Sequence, residues 1–574
     1  MERCSPMKRA VGSNSSIQMP LEPEACRARI LRIGKQRTLI HLFILLVVCY
    51  FVFFFRIGAH DLWNPDEPRY AQVAREMLES GDWIVPHLNG KIYTEKPPLY
   101  FWLVALVSKP FGDVNETTAR LPSAIATTLV VLLTYLFGNK LLGRQEAFWG
   151  ALITATSAQF FTIGRSGVMD SLLTLFILAA LMTFYVAYVH RRGLLYAPGF
   201  LFLAPAALSK GPVGVAVPLF IMLAFLFTEL MLHKKEAGAN LASFGLWAVL
   251  GVTLVALLIM PWWQAAYERS GGVYGSLSIL TRQTVGRMHD SYSHNRPFYY
   301  YFVEILWLFL PWTVLSPLAG HAIKNAGNLK ENTALRFLLI WFLSVFLLFT
   351  LISGKRAKYI LPLGPAGALL LGWAIANSHP GEGTLKDRRG FRISILSLII
   401  LCFVGLAVLV VGSHLQFPQN FSMVLFLVVF SSIILLIGYK KSLEQPPVFA
   451  LIFISAISIA MIAGAYGFVA PVIDKYKSAR PFCDNILAAM TENDELCFYQ
   501  FYRPNIHYYM HREVPVLQTE DEVINKLTES KRVFLIFQWK QRTALKLAPS
   551  YVTKQIVRSK VGDRDMLCVE IKRN

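Results

Sequence analysis

Thirteen segments of mostly apolar residues run through this chain, and they limit what it can fold into. A helix that crosses the hydrocarbon core of a bilayer needs about 20 such residues. The segments lie at about 38–56, 119–142, 146–163, 170–190, 197–209, 211–231, 243–262, 298–317, 334–353, 357–377, 391–412, 419–438 and 447–470. The fifth segment is short, so a count of twelve also fits the sequence. We therefore predict a polytopic α-helical membrane protein.

The composition excludes other classes of protein. Of the 574 residues, 55% are hydrophobic and 16% are charged, whereas a soluble domain has about 25% charged residues. One core cannot bury this much apolar surface, because soluble domains divide beyond about 250–300 residues. A cytosolic globular enzyme, a disordered chain and a fibrous repeat are therefore excluded. The 7 cysteines show no CxxC spacing, which argues against a zinc or iron–sulfur module.

The distribution of Lys and Arg predicts the orientation. Short cytoplasmic loops collect positive charge, and residues 1–37 form a basic tail before the first segment. With this tail inside, the inside-facing loops carry Lys140 and Arg144, Arg191 and Arg192, Lys234 and Lys235, and Lys440 and Lys441. Orientation therefore explains most of the formal net charge of +20, and nucleic-acid binding loses its main support. The first segment lacks a small-residue cleavage site, so we expect an uncleaved anchor.

Three polar stretches then face the non-cytoplasmic side: loops 57–118 and 263–297, and the region 471–574. In the last of these, the residue patterns predict a small mixed α/β domain. Its expected strands and helix are Leu496–Phe501, Val533–Trp539, Met566–Ile571 and Glu520–Leu527. Cys483, Cys497 and Cys568 also lie there, in a compartment where disulfides persist. A Cys483–Cys497 bridge is one candidate pairing.

Ionisable side chains from several loops meet on this outer face. Apolar residues at helical spacing from Arg69 to Ser80 predict a helix along the membrane surface. Asp66 and Glu67 would lie at its positive end, and for Glu67 the sequence leaves a capping role and a functional role open. The other outer-face candidates are Arg69, Tyr70, Tyr93, Glu95, Lys96, Asp170, Lys210, Arg287, His289, His294, Arg296, Lys355, Lys358 and Tyr359.

The segment Gly354–Tyr359 carries three cations on the side where positive charge is not expected. A fixed anion at the outer surface, such as a lipid-linked phosphate, would explain this pattern. Few ionisable residues lie in the middle of an apolar segment. The main exception is Glu304, which we interpret as a polar contact between packed helices. A secondary transporter would place such residues near the midplane. The pattern therefore favours an enzyme at the outer leaflet over a lipid or polysaccharide transporter.

Several motifs resemble the bacterial aminoarabinose (4-amino-4-deoxy-L-arabinose) lipid A transferases. These belong to the GT-C glycosyltransferases and are related to the protein O-mannosyltransferases. The resemblance runs through Trp63–Tyr70, Ser80–Gly90, Tyr93–Pro98, Asp170, Ser209–Pro212, His294–Tyr300 and Lys355–Pro362. It implies a transmembrane GT-C domain at 38–470, preceded by the cytoplasmic tail 1–37 and followed by a periplasmic domain at 471–574.

The resemblance also implies roles for individual residues. Asp66 matches the catalytic aspartate, and Asp170 matches a second carboxylate near the sugar. Lys96, Tyr359 and Arg287 match residues that bind the carrier phosphate. Glu95 matches a ligand of a divalent metal, zinc, whose histidine partner is replaced here by Thr284, with His289 and His294 as nearby substitutes. The candidates for substrate and phosphate binding further include Glu67, Arg69, Tyr70, Tyr93, Lys210, Arg296, Lys355 and Lys358.

These expectations describe a glycosyltransferase of the bacterial inner membrane. It would move a sugar, 4-amino-4-deoxy-L-arabinose or another, from a polyprenyl-phosphate donor to lipid A or another envelope acceptor at the periplasmic face, with inversion. Lys96 and the Lys355–Tyr359 cations would stabilise the departing phosphate. Asp66 would orient the acceptor and accept the proton of a hydroxyl. The expected partners are the donor, the acceptor and membrane lipids, and a protein or polysaccharide glycosyltransferase stays an alternative.

Overall fold

The computed structural model describes residues 23–274 except 64, 296–325, 329–377, 448–530, 532–544 and 551–573, together with scattered positions between 393 and 440. The chain divides into two compact units, Met1–Ile44 and Leu45–Asn574. The candidate site residues all belong to the second unit.

Most of the described chain is helical. In chain order the helices before the C-terminal region are α1 (Pro23–Cys49), α2 (Glu67–Ser80), α3 (Leu99–Ser108), α4 (Glu116–Leu141), α5 (Arg144–Thr156), α6 (Ala158–Gly164), α7 (Asp170–His190), α8 (Ala197–Lys210), α9 (Val213–Leu232), α10 (Lys234–Arg269), α11 (Tyr300–Leu308), α12 (Ser316–Asn325), α13 (Thr333–Leu351), α14 (Gly364–Asn377), α15 (Val448–Gly464) and α16 (Ala470–Lys477). A two-stranded antiparallel hairpin, β1 (His87–Leu88) and β2 (Lys91–Ile92), lies in the first long loop.

The predicted membrane-spanning architecture is confirmed. Among the described residues, eight helices are long and apolar enough to cross a membrane, and two bent helix pairs bring the number to ten. One pair, Tyr300–Leu308 with Trp312–Lys324, bends by 101°. These ten correspond to ten of the predicted segments, while 391–412 and 419–438 fall where only scattered positions are described. The remaining segment, 146–163, is broken into α5 and α6 because the backbone of Ser157 is extended.

The outer surface of the helices has the composition expected for contact with lipid. On α10, the large apolar side chains of Leu246, Val249 and Leu257 are more than 60% exposed. Apolar side chains on a soluble helix line one face and pack against a core. This much exposed apolar surface is stable only when hydrocarbon covers it, as in a bilayer.

The C-terminal region forms one mixed sheet with helices. Its strands are β3 (Glu495–Tyr499), β4 (Val516–Leu517), β5 (Arg532–Gln538), β6 (Tyr551–Val561) and β7 (Arg564–Arg573), and its helices are α17 (Arg480–Ala489), α18 (Pro504–Met510) and α19 (Glu520–Glu529). The strand order is β4-β3-β5-β7-β6, with β3 parallel to β4 and β5, and β7 antiparallel to β5 and β6. The three strands and the helix predicted from the sequence are present, and β4 and β6 were missed.

The candidate Cys483–Cys497 bridge is wrong. Both cysteines are free and buried. Cys497 packs with Tyr499 and Leu535 in the core on one face of the sheet, whereas the Cys483 thiol of α17 donates a hydrogen bond to the Ile506 carbonyl. Cys568 is also free and buried. The two thiols of the proposed pair therefore pack against different neighbours.

The C-terminal region docks on the first long loop through helix α2. The guanidinium of Arg75 donates to the backbone carbonyl of Tyr508 at 2.7 Å and lies 4.1 Å above the ring of that tyrosine. The Tyr508 hydroxyl donates to the Val114 carbonyl at 2.7 Å, and Asn89 exchanges two hydrogen bonds with Val514. All these groups are at least partly buried. Helix α2, which begins beside Asp66, is therefore packed against the C-terminal region at Arg75.

Candidate active site

Asp66 is the residue that immediately precedes helix α2, as the sequence predicted. Its carboxylate makes no capping hydrogen bond to the helix. It faces instead the segment between α13 and α14, where the Lys358 ammonium lies 2.7 Å from Asp66 Oδ2 and the Arg356 guanidinium lies 3.4 Å from the same atom. The Tyr301 hydroxyl of α11 hydrogen-bonds to the backbone of Arg356. These hydrogen bonds anchor the segment Gly354–Tyr359, called the cationic segment below, opposite the start of α2.

Asp170, the first residue of α7, lies on the other side of Lys358. Its Oδ2 is 3.4 Å from the Lys358 Nζ, and its Oδ1 accepts a short hydrogen bond from Lys210 at the end of α8. The Lys210 ammonium also lies 4.6 Å from the centre of the Tyr359 ring. The structure therefore brings together five predicted residues, Asp66, Asp170, Lys210, Lys358 and Tyr359.

The charges of this cluster do not cancel. Two carboxylates, Asp66 and Asp170, are in direct contact with three cations, Lys210, Arg356 and Lys358. Lys96 lies near enough to add to the positive field at Asp170. Asp66 and Lys358 have side chains that are only 12% and 15% exposed, so solvent screens the excess poorly. The site is built to receive an anion.

The protonation states suit this arrangement. Burial by itself would raise the pKa of Asp66, but Lys358, Arg356 and Arg69 outweigh burial and hold that pKa below its usual range. Asp66 is therefore a carboxylate at neutral pH. Tyr70 is buried next to the rings of Tyr100 and Phe101, and burial together with the nearby carboxylates raises its pKa well above the ordinary value. Its hydroxyl keeps its proton and can act as a donor.

Glu67, a predicted substrate-binding residue, is held by protein partners in this structure, and its role in binding stays a prediction. One carboxylate oxygen accepts hydrogen bonds from Arg120 Nε and the Gly167 amide, both at 2.8 Å, and the other accepts from Arg120 Nη2 and the Trp63 amide at 3.2 and 3.1 Å. The Arg120 side chain is fully buried. Both oxygens are therefore committed to the protein, and Glu67 fixes the first turn of α2 against α4.

Arg69, Tyr93 and Glu95 form a second polar group beside the cluster. Glu95 Oε2 lies 3.4 Å from the Arg69 guanidinium and 3.3 Å from the Tyr93 hydroxyl, and its side chain is half-exposed. Within the described part of the chain, no three His, Cys, Asp or Glu side chains are grouped as a metal site. An arginine and a tyrosine do not fit a zinc ligand set. The zinc prediction therefore depends on His289 and His294, which lie outside the described residues, and it stays a prediction.

Lys355 and Arg296 lie next to each other, away from the two acids. The buried Lys355 ammonium donates to the backbone carbonyls of Ile352 and Arg296 at 2.6 and 3.4 Å, and the Arg296 guanidinium lies 5.9 Å from the centre of the Tyr300 ring. These contacts do not bring either cation to Asp66 or Asp170. Lys96 is held by its backbone, whose carbonyl accepts a 2.7 Å hydrogen bond from Tyr274. Arg287 lies outside the described residues.

The sequence reasoning did not assign two residues that shape the site. Arg356 contacts Asp66 directly, and its position in the cationic segment was the signal that could have identified it. Arg120 fixes Glu67 from 53 residues away in the chain. A lone arginine at the start of an apolar segment carries little information about its partner, so pattern reading could not have found this pair.

A largely apolar cavity of about 710 Å³ opens along the bent helix pair formed by Tyr300–Leu308 and Trp312–Lys324. Both halves of the bent pair line it, with Val303, Leu306 and Trp307 from the first half, Leu310 from the break between them and Pro317 from the second half. The first half is helix α11, whose Tyr301 bonds the backbone of Arg356. An apolar chain attached to an anion could therefore lie along α11 with its charged end near the cluster.

Known proteins share both sequence and fold with this chain. The sequence profile of the dolichyl-phosphate-mannose-protein mannosyltransferase family matches residues 38–270. The undecaprenyl phosphate-alpha-4-amino-4-deoxy-L-arabinose arabinosyl transferase of Aeromonas hydrophila is 31% identical over 382 residues, which are 65% of this chain and 67% of that protein. The Shewanella sediminis protein of the same name is 29% identical over 61% of this chain, and the match spans 63% of its own length, slightly less than two thirds.

The fold comparison covers nearly the whole chain. The crystal structure of ArnT from Cupriavidus metallidurans bound to undecaprenyl phosphate matches with a TM-score of 0.71 and 19% identity, over 92% of this chain and 97% of that one. The apo structure of the same protein gives a TM-score of 0.72. The chain therefore belongs to the family of aminoarabinose transferase-like GT-C membrane glycosyltransferases, which are related to the protein O-mannosyltransferases.

Proposed function

We propose that the protein transfers a sugar from a polyprenyl-phosphate donor to lipid A at the periplasmic face of the inner membrane. The sugar proposed is 4-amino-4-deoxy-L-arabinose, as in the names of the relatives from Aeromonas and Shewanella. The observation that carries the proposal is the buried cluster in which three cations contact two carboxylates. Such a cluster can stabilise a phosphate that gains negative charge as it leaves the sugar.

The donor would use the cationic segment and the cavity together. Its phosphate would bind among Lys358, Lys210 and Lys96, with the Tyr359 side chain alongside. Its polyprenyl chain would occupy the apolar cavity next to α11. The contact between Tyr301 and Arg356 supports this, because it joins α11, whose later residues line the cavity, to the segment that faces Asp66.

The acceptor would be bound by Asp66, and the chemistry depends on what the acceptor is. A hydroxyl acceptor must lose a proton as it attacks, and the ionised carboxylate of Asp66 can accept it. A phosphate acceptor is already ionised at neutral pH, so Asp66 would then act by orienting groups around it. Asp170 is paired with Lys210 and Lys358, so we do not assign it to attack the sugar. Transfer in a single displacement predicts inversion at the anomeric carbon.

The test is transfer by the purified protein. We would incubate the full chain in lipid nanodiscs with a synthetic undecaprenyl-phosphate donor that carries radiolabelled aminoarabinose, and with lipid A. Radiolabel should appear on lipid A, and NMR of the product should show the inverted anomer. The Asp66→Asn variant serves as the matched control. If the label crosses the membrane of proteoliposomes and is never transferred, the protein is a transporter and the proposal fails.

A protein acceptor is the second candidate. The match of residues 38–270 to the protein mannosyltransferase family favours it. Donor machinery of the same kind would serve both acceptors, so the acceptor pools must be compared directly. Label that appears on periplasmic proteins, while lipid A stays unlabelled, would select this second function.

A further inference from the structure

Lys358 differs from the other cations of the cluster in what it contacts. Its ammonium lies between two carboxylates that come from different helices, 2.7 Å from Asp66 and 3.4 Å from Asp170. Lys210, in comparison, pairs with Asp170 and lies against the Tyr359 ring, and Arg356 contacts Asp66 alone among the two acids. Lys358 is therefore the shared counter-ion of both acids.

We propose that Lys358 is an exchangeable counter-ion, bound to Asp66 while the donor site is empty and transferred to the donor phosphate when the donor binds. The exchange forms and breaks ion pairs alone, so no covalent bond or proton changes place. Asp66 is then released to bind the acceptor. This inference rests on the proposed function, and it adds an order of events, because Asp66 becomes available after the donor has bound.

The geometry favours Lys358 as the cation that moves. A lysine ammonium is a compact charge on a flexible four-carbon stem, whereas a guanidinium is a rigid fork. Lys210 has two fixed neighbours, the Asp170 carboxylate and the Tyr359 ring. When Lys358 moves, Asp170 keeps Lys210 and Asp66 keeps Arg356 at 3.4 Å. Neither acid is therefore left as an uncompensated buried charge, which would be costly.

The balance of charges also supports an exchange of Lys358 between Asp66 and the phosphate. Among the described side chains in direct contact, three cations face two carboxylates before the donor binds, so this group of five carries one excess positive charge. The phosphate of a sugar phosphodiester carries one negative charge and balances this excess. Asp66 and the phosphate then compete for the same ammonium. Competition of this kind predicts that removing the charge of Asp66 strengthens phosphate binding through Lys358.

The experiment is a double-mutant cycle on phosphate binding. The probe is farnesyl phosphate, titrated calorimetrically into the full-length protein in nanodiscs of neutral lipid. The four proteins are the wild type, Asp66→Asn, Lys358→Gln and the double variant. We expect Asp66→Asn to bind the probe more tightly by at least about threefold and Lys358→Gln to bind it more weakly. We also expect the gain from Asp66→Asn to disappear in the Lys358→Gln background.

The cycle separates exchange from simple repulsion. If Asp66 merely repels the phosphate, Asp66→Asn tightens binding equally in both backgrounds, and the proposal is overturned. It is also overturned if Asp66→Asn binds no more tightly than the wild type. Should Lys358→Gln fail to fold, Lys358→Met replaces it, and Asp66→Asn, which preserves shape, still tests the gain in affinity.

The control is another lysine–carboxylate ion pair, far from the cluster in the chain. Lys526 and Glu529 pair at 2.9 Å on the C-terminal helix α19, so Lys526→Gln and Glu529→Gln should leave probe affinity unchanged. The binding assay needs no sugar transfer, so its result is independent of the acceptor. If the four proteins give the expected affinities but the wild type transfers no sugar, the proposed function is refuted and the proposal that Lys358 exchanges between ion pairs is kept.

Discussion

The replacement Glu67→Ala tests whether the first turn of α2 is held by the buried pair with Arg120. The substitution removes the acceptor of four hydrogen bonds and leaves a fully buried guanidinium without its carboxylate. Breaking one side of a buried ion pair costs about 3–5 kcal/mol. Arg120 keeps hydrogen bonds to the carbonyls of Ile57, His60 and Asp61, so we expect the free energy of unfolding to fall by about 3 kcal/mol.

The assay is unfolding by SDS titration in mixed micelles, with two comparison variants. Glu95→Ala removes a half-exposed carboxylate 3.4 Å from Arg69, and such surface pairs contribute about 0–1 kcal/mol. The double variant Glu67→Ala with Arg120→Met removes the uncompensated buried charge and should recover part of the lost stability. The recovery is partial because the carbonyls of Ile57, His60 and Asp61 then lose the hydrogen bonds from Arg120. Two results would refute a stabilising role of the buried pair. One is a Glu67→Ala variant that loses no more unfolding free energy than Glu95→Ala does. The other is a double variant that recovers none of the unfolding free energy lost by Glu67→Ala.

The pH dependence of the free energy of unfolding gives a second test with the Glu67→Ala variant. Burial by itself would raise the pKa of Glu67, but Arg120 outweighs it and lowers that pKa below the ordinary value of 4.5. A carboxylate with a lowered pKa in the folded state stabilises the protein above its unfolded pKa, and this contribution is lost as pH falls through the folded pKa. The unfolding free energies of the wild type and Glu67→Ala should therefore differ fully at pH 7 and converge as the pH falls below 4.5, through the lowered pKa of the folded state.

Three further variants test other parts of the structure. With a hydroxyl acceptor, Asp66→Asn should slow transfer by about 10²–10⁴-fold in the radiolabel assay, and a near-normal rate would defeat the proton-acceptor role. Tyr508→Phe removes the 2.7 Å hydrogen bond to the Val114 carbonyl and should cost about 1 kcal/mol in the SDS titration, with donor KM unchanged. Glu229→Gln breaks the buried bidentate pair with Arg336, whose atoms lie 2.7 and 2.9 Å apart. The free energy of unfolding should fall by about 3 kcal/mol. The kcat/KM of the folded protein, measured in a steady-state assay on the monodisperse fraction, should stay unchanged.

Local patterns predicted the elements that carry the site. Helical spacing from Arg69 to Ser80 correctly identified α2, and with it the position of Asp66 before the first turn. Runs of apolar residues identified β3, β5 and β7, which form the middle of the sheet. The edge strand β6 was missed because most of its residues are exposed, so they carry no pattern of burial.

Contacts between distant residues were beyond the reach of the sequence. For Glu67 the sequence left a capping and a functional role open, and it did not indicate the partner that the structure shows, Arg120 on another helix. Lys355 and Lys358 are three residues apart in the same segment, yet one binds backbone carbonyls and the other bridges two acids. The direction of a side chain in a tight turn depends on the backbone path, which charge patterning does not encode.

The negative charge of Asp66 and the positive charge of Lys358 differ in how firmly the fold positions them. Asp66 begins a helix that Arg120 fixes through Glu67 at one end and that Arg75 fixes to Tyr508 further along. The carboxylate is therefore positioned by a rigid helix, and it cannot follow a ligand without breaking buried contacts. The facing ammonium of Lys358 is at the end of a flexible stem. An arriving anion can therefore be accommodated by moving one side chain, while the acid that meets the acceptor stays where the fold has placed it.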